Sequence, residues 1–375
     1  MTALSESTSG ARLVACVGPG GVGKTTVAAA LGVAAARRGE RVFVLTIDPA
    51  KRLADALGIG LSDKAVRVPL EAPGELYAAM VDTKSSYDAL IRRVAASEAD
   101  IERILGNPVY DAFSRTLARS HAYAAAERVY HALEHDHYDT IVLDTPPLRS
   151  ALDILDAPGR LTSFLESGVV RAMLEPSAGP LSRLLPSGGA AVRRLLSLAA
   201  SQRLTDQLVG FFAALSDLGP GFLERAERVR QLLTSSGAAF VMVCSPAPTS
   251  LDDAAYMRDG LAERDIPLRA CVVNRAFVGE PRDPSRPLRA SEVRLGEVPE
   301  ELAEARAELA LLRAQVAARN RQAEARIRDF AHQLSRTTRL FVLPEMLNEV
   351  GDVAHLERLS TMLEHAEHRR DLIHS

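Results

Sequence analysis

The sequence predicts an α/β fold: a doubly wound, mostly parallel sheet with an inserted α-helical subdomain. Three observations carry that prediction. Short apolar runs recur along the chain, helical stretches separate them, and the first run leads through a glycine-rich turn into an Ala-rich segment. Arg12–Val17 (RLVACV) is the first strand, Lys24–Arg38 is helical in composition until Gly39 stops it, and Arg41–Ile47 (RVFVLTI) is a second strand ending at Asp48 and Pro49. Strand, loop, helix and strand within about 40 residues make a βαβ unit, which requires parallel strands. Further runs at Leu76–Val81, Thr140–Leu143, Ala239–Cys244, Ala270–Val273 and Leu340–Leu343 bring the total to roughly seven strands.

Two stretches interrupt the alternation. Ser85–Glu134 reads as helical, and Leu152–Ser236 carries Leu, Phe and Val at helical spacing, punctuated by Pro176, Pro180, Pro186 and Gly219-Pro220. Both are expected to gather into one helical subdomain beside the sheet. Val278–Leu288 (VGEPRDPSRPL) reads as a Pro/Arg-rich loop. Beyond it Leu302, Ala305, Leu309, Leu312 and Val316 repeat at heptad spacing, and Ala323, Ile327, Phe330 and Leu334 resume the stripe after a polar break at Arg319-Asn320. That pattern predicts one helix of about 35 residues, or two in line, packed or paired along the stripe with an Arg/Glu-rich solvated face.

Composition bounds the function. The chain has 375 residues, 47% hydrophobic and 25% charged, enough for one large or two ordinary domains with a core, which excludes a disordered or fibrous chain. A formal charge of −3 offers no general field for polyanions, so no nucleic-acid partner is expected. Cys16, Cys244 and Cys271 each lie in an apolar run with no C-x-x-C pair, so neither a disulfide framework nor a zinc site is expected. Met1–Gly10 is polar and reads as a disordered tail rather than a secretory signal, and no run of about 18 apolar residues could span a bilayer. A soluble, cytoplasmic protein is the expectation. Of 45 basic residues only four are lysine, namely Lys24, Lys51, Lys64 and Lys84.

One of these lysines falls in the most informative motif. Gly18-Pro19-Gly20-Gly21-Val22-Gly23-Lys24-Thr25 fits G-x-x-x-x-G-K-[ST] between a strand and a helix, the context the motif requires. Its backbone N–H groups are expected to face a β-phosphate, Lys24 to reach the β/γ oxygens, and the Thr25 hydroxyl to ligate Mg²⁺ directly. Asp144 closes the run Ile141-Val142-Leu143 and precedes Thr145-Pro146-Pro147, so it can hold Mg²⁺ through water and open a γ-phosphate-sensing loop. Asp48 ends the second strand in the same way. Alone it reads equally as a turn former; with the phosphate loop and Asp144 it becomes the candidate to orient the attacking water and a second water-mediated Mg²⁺ holder. Asn274 ends a strand and carries both donors and an acceptor, suited either to a purine edge or to a turn.

These residues together resemble a known family. GPGGVGKTT, which adds Thr26 to the phosphate loop, then TIDPAKRLADALG, LDTPPLRSALDILDAP, CVVNR and LFVLPE follow the order and spacing of the ArsA-type ATPases. That family contains arsenite-pump-driving and tail-anchored-protein-targeting ATPases and lies within a wider class with the MinD/ParA ATPases. The resemblance implies an ATP- and Mg²⁺-dependent hydrolase acting as a nucleotide-switched dimer. Asp48 and its loop would be switch I, Asp144 onward switch II, Asn274 the reader of adenine, and Pro344-Glu345 the loop over the base. Residues 11–84, 135–151 and 237–375 then form the P-loop ATPase domain, and 85–134 with 152–236 the helical subdomain.

The departures are specific. The family's second Walker A position is usually a lysine that crosses to the partner's nucleotide; here it is Pro19, without charge or N–H. Lys51, Arg52 or Arg149 is the candidate replacement from its loop position. No C-x-x-C pair stands where the targeting ATPases bridge their dimers with zinc, and the arsenite-activating cysteine cluster is missing. Leu184, Leu185, Val192, Leu195, Leu196, Leu198, Leu208, Phe211, Phe212 and Leu215 are arranged either to line a groove for a hydrophobic protein client or, as the single methionine of that insertion (Met173) favours, to form its core. His131 and His135 have metal-ligand spacing, but a solvated helix end is the simpler expectation. Three functions follow in order: an ATPase coupling nucleotide to a protein client, as a homodimer or with a paralogue; a low-turnover ATP-binding regulatory subunit of a heterodimer; and a MinD/ParA-like positioning ATPase.

Overall fold

The computed structural model describes residues 4–48, 51–110, 121–147, 149–165, 202–276, 303–346 and 352–369. In chain order these form α1 (Leu4–Thr8), β1 (Leu13–Val17), α2 (Lys24–Arg37), β2 (Arg41–Thr46), α3 (Arg52–Leu57), β3 (Val66–Arg67), β4 (Glu75–Met80), α4 (Thr83–Val94), α5 (Glu98–Leu105) and α6 (His121–His135). They continue with β5 (Thr140–Asp144), α7 (Arg149–Leu165), α8 (Gln202–Asp217), α9 (Gly219–Thr234), β6 (Ala238–Cys244), α10 (Pro248–Ala262), β7 (Leu268–Val273), α11 (Ala303–Ala331), β8 (Arg339–Val342) and α12 (Val353–His365). The expected loop at Val278–Leu288 lies outside the described residues.

All eight strands join one sheet in the order β3-β4-β2-β5-β1-β6-β7-β8. Every pair is parallel except β3 with β4. The two-residue β3 is too short for side-chain alternation to show in the sequence. Successive residues of each strand enter opposite cores. Leu13, Ala15, Phe43, Leu45, Ile141 and Leu143 face one side, where α4, α6, α7, α9 and α10 pack, while Val14, Cys16, Val42, Val44 and Val142 face α2, α3 and α12. The described parts of the helical insertions therefore share one continuous apolar core with the sheet.

One expectation changes, and one pair of alternatives is decided. The first ten residues are not a tail throughout: α1 forms there, and Leu4 is fully buried against the α2/α12 side. One leucine in a polar segment suffices to anchor a turn of helix. The polar break at Arg319-Asn320 does not divide α11, which runs 29 residues without interruption. Arginine and asparagine are tolerated in a helix interior when their side chains remain in water.

Candidate functional site: a nucleotide pocket at the strand ends

Strand order concentrates chemistry at one place. β5 lies between β1 and β2, and the register sets Asp144 beside Cys16 on one side and Thr46 on the other. The glycine-rich loop leaving β1, Asp48 leaving β2 and Asp144 ending β5 are thereby neighbours at the carboxyl edge, the place where open α/β sheets bind ligands.

The loop geometry depends on glycine at two points. Gly18 has φ 138°, and a Cβ there would lie 2.1 Å from the Val243 carbonyl oxygen. Gly23 has φ 93°, and its Cβ would lie 2.5 Å from Asn274 Nδ2. Lys24 opens α2 at the loop's end, is buried, and donates from Nζ to the Pro19 carbonyl at 2.6 Å. Burial lowers its pKa, opposed chiefly by the nearby carboxylates of Asp144 and Asp48. Thr25 and Thr26 follow, both partly exposed in the first turn.

Asp144 is fully buried. Its Oδ2 accepts a hydrogen bond from Thr46 Oγ1 at 2.8 Å, whereas Oδ1 is buried with no hydrogen-bond partner. Burial raises its pKa, opposed by the hydroxyls of Thr46 and Thr25 and by the Lys24 charge. An acceptor held out of water beside a lysine is an incomplete site. It fits a hydrated divalent cation shared with Thr25, because Mg²⁺ keeps several waters and takes one or two carboxylates plus phosphate oxygens. Among the described residues no group of three or more His, Cys, Asp and Glu forms a cage for a metal held without substrate. The N–H groups at the start of α2, with Lys24, likewise fit a polyphosphate.

Thr46 is a site residue that the motifs did not reveal. Its hydroxyl donates to Asp144 and accepts the Asp48 backbone N–H at 3.2 Å, so one side chain ties both carboxylate-bearing segments together. The only signal was a hydroxyl inside an otherwise apolar run, two residues before Asp48. Thr145 acts similarly, donating from Oγ1 to the Cys16 carbonyl at 2.7 Å and pinning the loop after β5 to β1.

Asp48 Oδ2 accepts from Arg52 Nη1 at 3.1 Å. Lys51 is exposed, with φ 53° at the start of α3, and Arg149 begins α7. Asn274 follows β7, donates from Nδ2 to the Val22 carbonyl at 2.8 Å and accepts the Arg275 N–H at 3.0 Å. In this arrangement its amide fastens the phosphate loop to β7, leaving one N–H and one lone pair for a base. Leu343 donates to the Val273 carbonyl and accepts from the Ala276 N–H, so Pro344 and Glu345 lie next to the Asn274 turn. Glu345 pairs with Arg319 of α11 at 3.1 Å.

Other expected residues stand apart. Leu184 to Leu198 of the groove set fall outside the described residues; Phe211 and Leu215 are buried in the shared core, with Phe211 against Tyr110. Of the histidine pair, His135 is exposed at the end of α6, whereas His131 is half-buried, its ring 4.8 Å from that of His135 and its Nδ1 3.6 Å from Asp136, and burial lowers its pKa to about 4.

A GKT turn between strand and helix, flanked by two strand-end carboxylates, defines a P-loop nucleoside-triphosphate-binding protein. The chain belongs to the anion-transporting ATPase family of the ArsA type, whose family model matches residues 11–336, and is by class an ATP hydrolase. It is 30% identical over 282 residues to ATPase ARSA2 of Chlamydomonas reinhardtii, covering 73% of this chain and 70% of that protein. It is 28% identical to ATPase GET3 of Podospora anserina, covering 70% of this chain and 73% of the relative. An uncharacterised protein of Streptomyces coelicolor is 31% identical, with 71% and 63% covered.

Proposed function

We propose that the protein is an Mg²⁺-dependent ATPase that works as a nucleotide-switched dimer and couples ATP binding and hydrolysis to binding of a protein client through its helical layer. The observation that carries the reading is the convergence of Lys24, Thr25, Asp48 and buried Asp144 at adjacent strand ends. Lys24 and the loop N–H groups stabilise charge on the transferring phosphoryl group. Asp48 orients the attacking water once Arg52 releases or shares it. Thr25 and Asp144 would hold Mg²⁺, which supplies charge neutralisation at the β/γ oxygens. Thr46, bonded to both switch segments, passes a change at one carboxylate to the other. Asn274 reads adenine with its remaining amide valences, and Pro344-Glu345 borders the base. No helix among the described residues is long and apolar enough to cross a membrane.

The test is ATP turnover as a function of protein concentration, with mass measured in ADP and in a non-hydrolysable ATP analogue. Turnover that rises with dimer formation supports the reading. Pro19 favours a second one, a subunit that binds ATP and hydrolyses it slowly beside a paralogue carrying the interfacial lysine. Tight ATP binding with negligible turnover at every concentration would establish that alternative. Alanine at Lys51, Arg52 and Arg149 tests the replacement cation, and unchanged turnover in all three excludes it.

A further inference from the structure

Where β7 ends, two side chains reach back to the phosphate loop, and the chemistry above uses only the first. Asn274 Nδ2 donates to the Val22 carbonyl at 2.8 Å, and Arg275 Nη1 donates to the Gly21 carbonyl at 3.4 Å. Arg275 holds a left-handed backbone, φ 58°, which is uphill for an arginine. Its surroundings impose that shape. The Asn274 N–H donates to the Cys244 carbonyl of β6, the Ala276 N–H to the Leu343 carbonyl just past β8, and the Arg275 N–H to Asn274 Oδ1 at 3.0 Å. The sheet thus fixes the point from which this guanidinium reaches the loop.

The consequence falls on the other side of two peptide planes. A trans peptide directs its C=O and the following N–H in opposite directions. Holding the Gly21 and Val22 carbonyls toward the end of β7 therefore turns the N–H groups of Val22 and Gly23 away from it. Among the described residues neither of these N–H groups has an acceptor. Gly21 and Gly23 flank the two planes with φ 75° and 93°. Glycine permits that turn but has little preference of its own, so something outside the loop must hold the planes in one orientation.

We propose that Arg275 is a positioning residue for the nucleotide's phosphates: by holding the Gly21 carbonyl, with Asn274 on the next one, it keeps two N–H donors aimed at the phosphate chain before ATP arrives. Donors fixed in advance spare the ordering cost of binding. In this role the guanidinium stays on the loop's outer side and touches no phosphate. The proposal rests on the ATP-binding part of the reading above, and on neither its dimer nor its client.

Calorimetric titration of the full chain with ATP, ADP and inorganic tripolyphosphate tests it. Arg275→Met should weaken all three by one common factor, about fivefold, the size of one lost hydrogen bond. The ratio of ATP to GTP affinity should not move, and the factor should be the same at low and high salt. Arg275→Lys, which keeps a donor of similar reach, should recover most of the loss. Unchanged ATP affinity in Arg275→Met, or a lysine variant as weak as the methionine one, would overturn the proposal. So would a loss that grows with the number of phosphates or fades in salt, because that is the signature of a direct charge contact. Lost folding appears as fewer binding sites and not as weaker binding, so the two are told apart in the same titration. A wild type that binds no ATP would refute the ATPase reading as well, whereas unchanged affinity in the variant refutes this one alone.

Discussion

At the scale of single residues, the site works against the stability of the fold that holds it. Asp144 is an acid whose pKa is raised by burial above its ordinary 3.8. Between the ordinary and raised values the folded state binds more protons than the unfolded one, so stability falls as pH climbs through that window and the cost is fully present above the raised value. Asp144→Asn should therefore raise the melting temperature of the nucleotide-free protein by about 2 °C, roughly 1 kcal/mol, while abolishing stabilisation by Mg²⁺ with ATP. Thermal melts at pH 7 with and without both ligands check the two halves; a variant less stable without ligand would refute the first. Thr46 makes the opposite case. Thr46→Val keeps the shape but strips a hydrogen bond from Asp144 and another from the Asp48 N–H. It should cost about 1–3 kcal/mol in denaturant unfolding, with Thr46→Ser restoring most of it.

At the scale of elements, the helical layer is held by a buried charge cluster as well as by apolar contact. Glu127 of α6 is 2% exposed and receives Arg225 of α9 and Arg93 of α4 on the same oxygen, Oε1. Glu127 Oε2, Arg225 Nη2 and Tyr123 Oη are buried without hydrogen-bond partners, positions that suit ordered water. Burial raises the pKa of Glu127, opposed by Arg225 and then Arg93. Removing the carboxylate leaves two half-buried guanidinium groups facing each other over an empty site, so Glu127→Ala should destabilise by about 2–4 kcal/mol. Urea unfolding measures it, and a loss under 1 kcal/mol (about the value of a surface pair) would show the cluster to be solvated. The joint between β1 and α2 is as strict: Gly18→Ala would drive a methyl into the Val243 carbonyl. Its expected outcome is loss of ATP binding by equilibrium titration together with reduced stability.

At the scale of the whole molecule, the sheet order explains why distant segments act as one site. Residues 18–25, 48 and 144 meet because β5 inserts between β1 and β2, and Asn274 reaches Val22 because β7 lies two strands from β1. If the missing interfacial lysine limits turnover, Pro19→Lys should raise it about tenfold, and only at concentrations where the protein is dimeric. An equal gain at every concentration would place the effect within one copy. The same variant leaves the Lys24 hydrogen bond to the residue 19 carbonyl available, since that bond uses the backbone.

The parallel sheet, the phosphate loop and the strand-end carboxylates were legible because each is local: apolar runs bounded by glycine and aspartate, and a GKT turn that only one backbone geometry accommodates. Seven of the eight strands lie within two residues of the apolar runs that announced them, while β3 is too short to carry a pattern. What tertiary structure alone decided is pairing over long sequence separations. Thr46 became a bridge between two carboxylates, Asn274 a clasp on the phosphate loop, Leu4 a core residue and Glu127 a buried ion. In every case the residue type permits several environments, and only the chain packed against it selects one, because burial and hydrogen-bond partners are properties of neighbours and not of the residue itself.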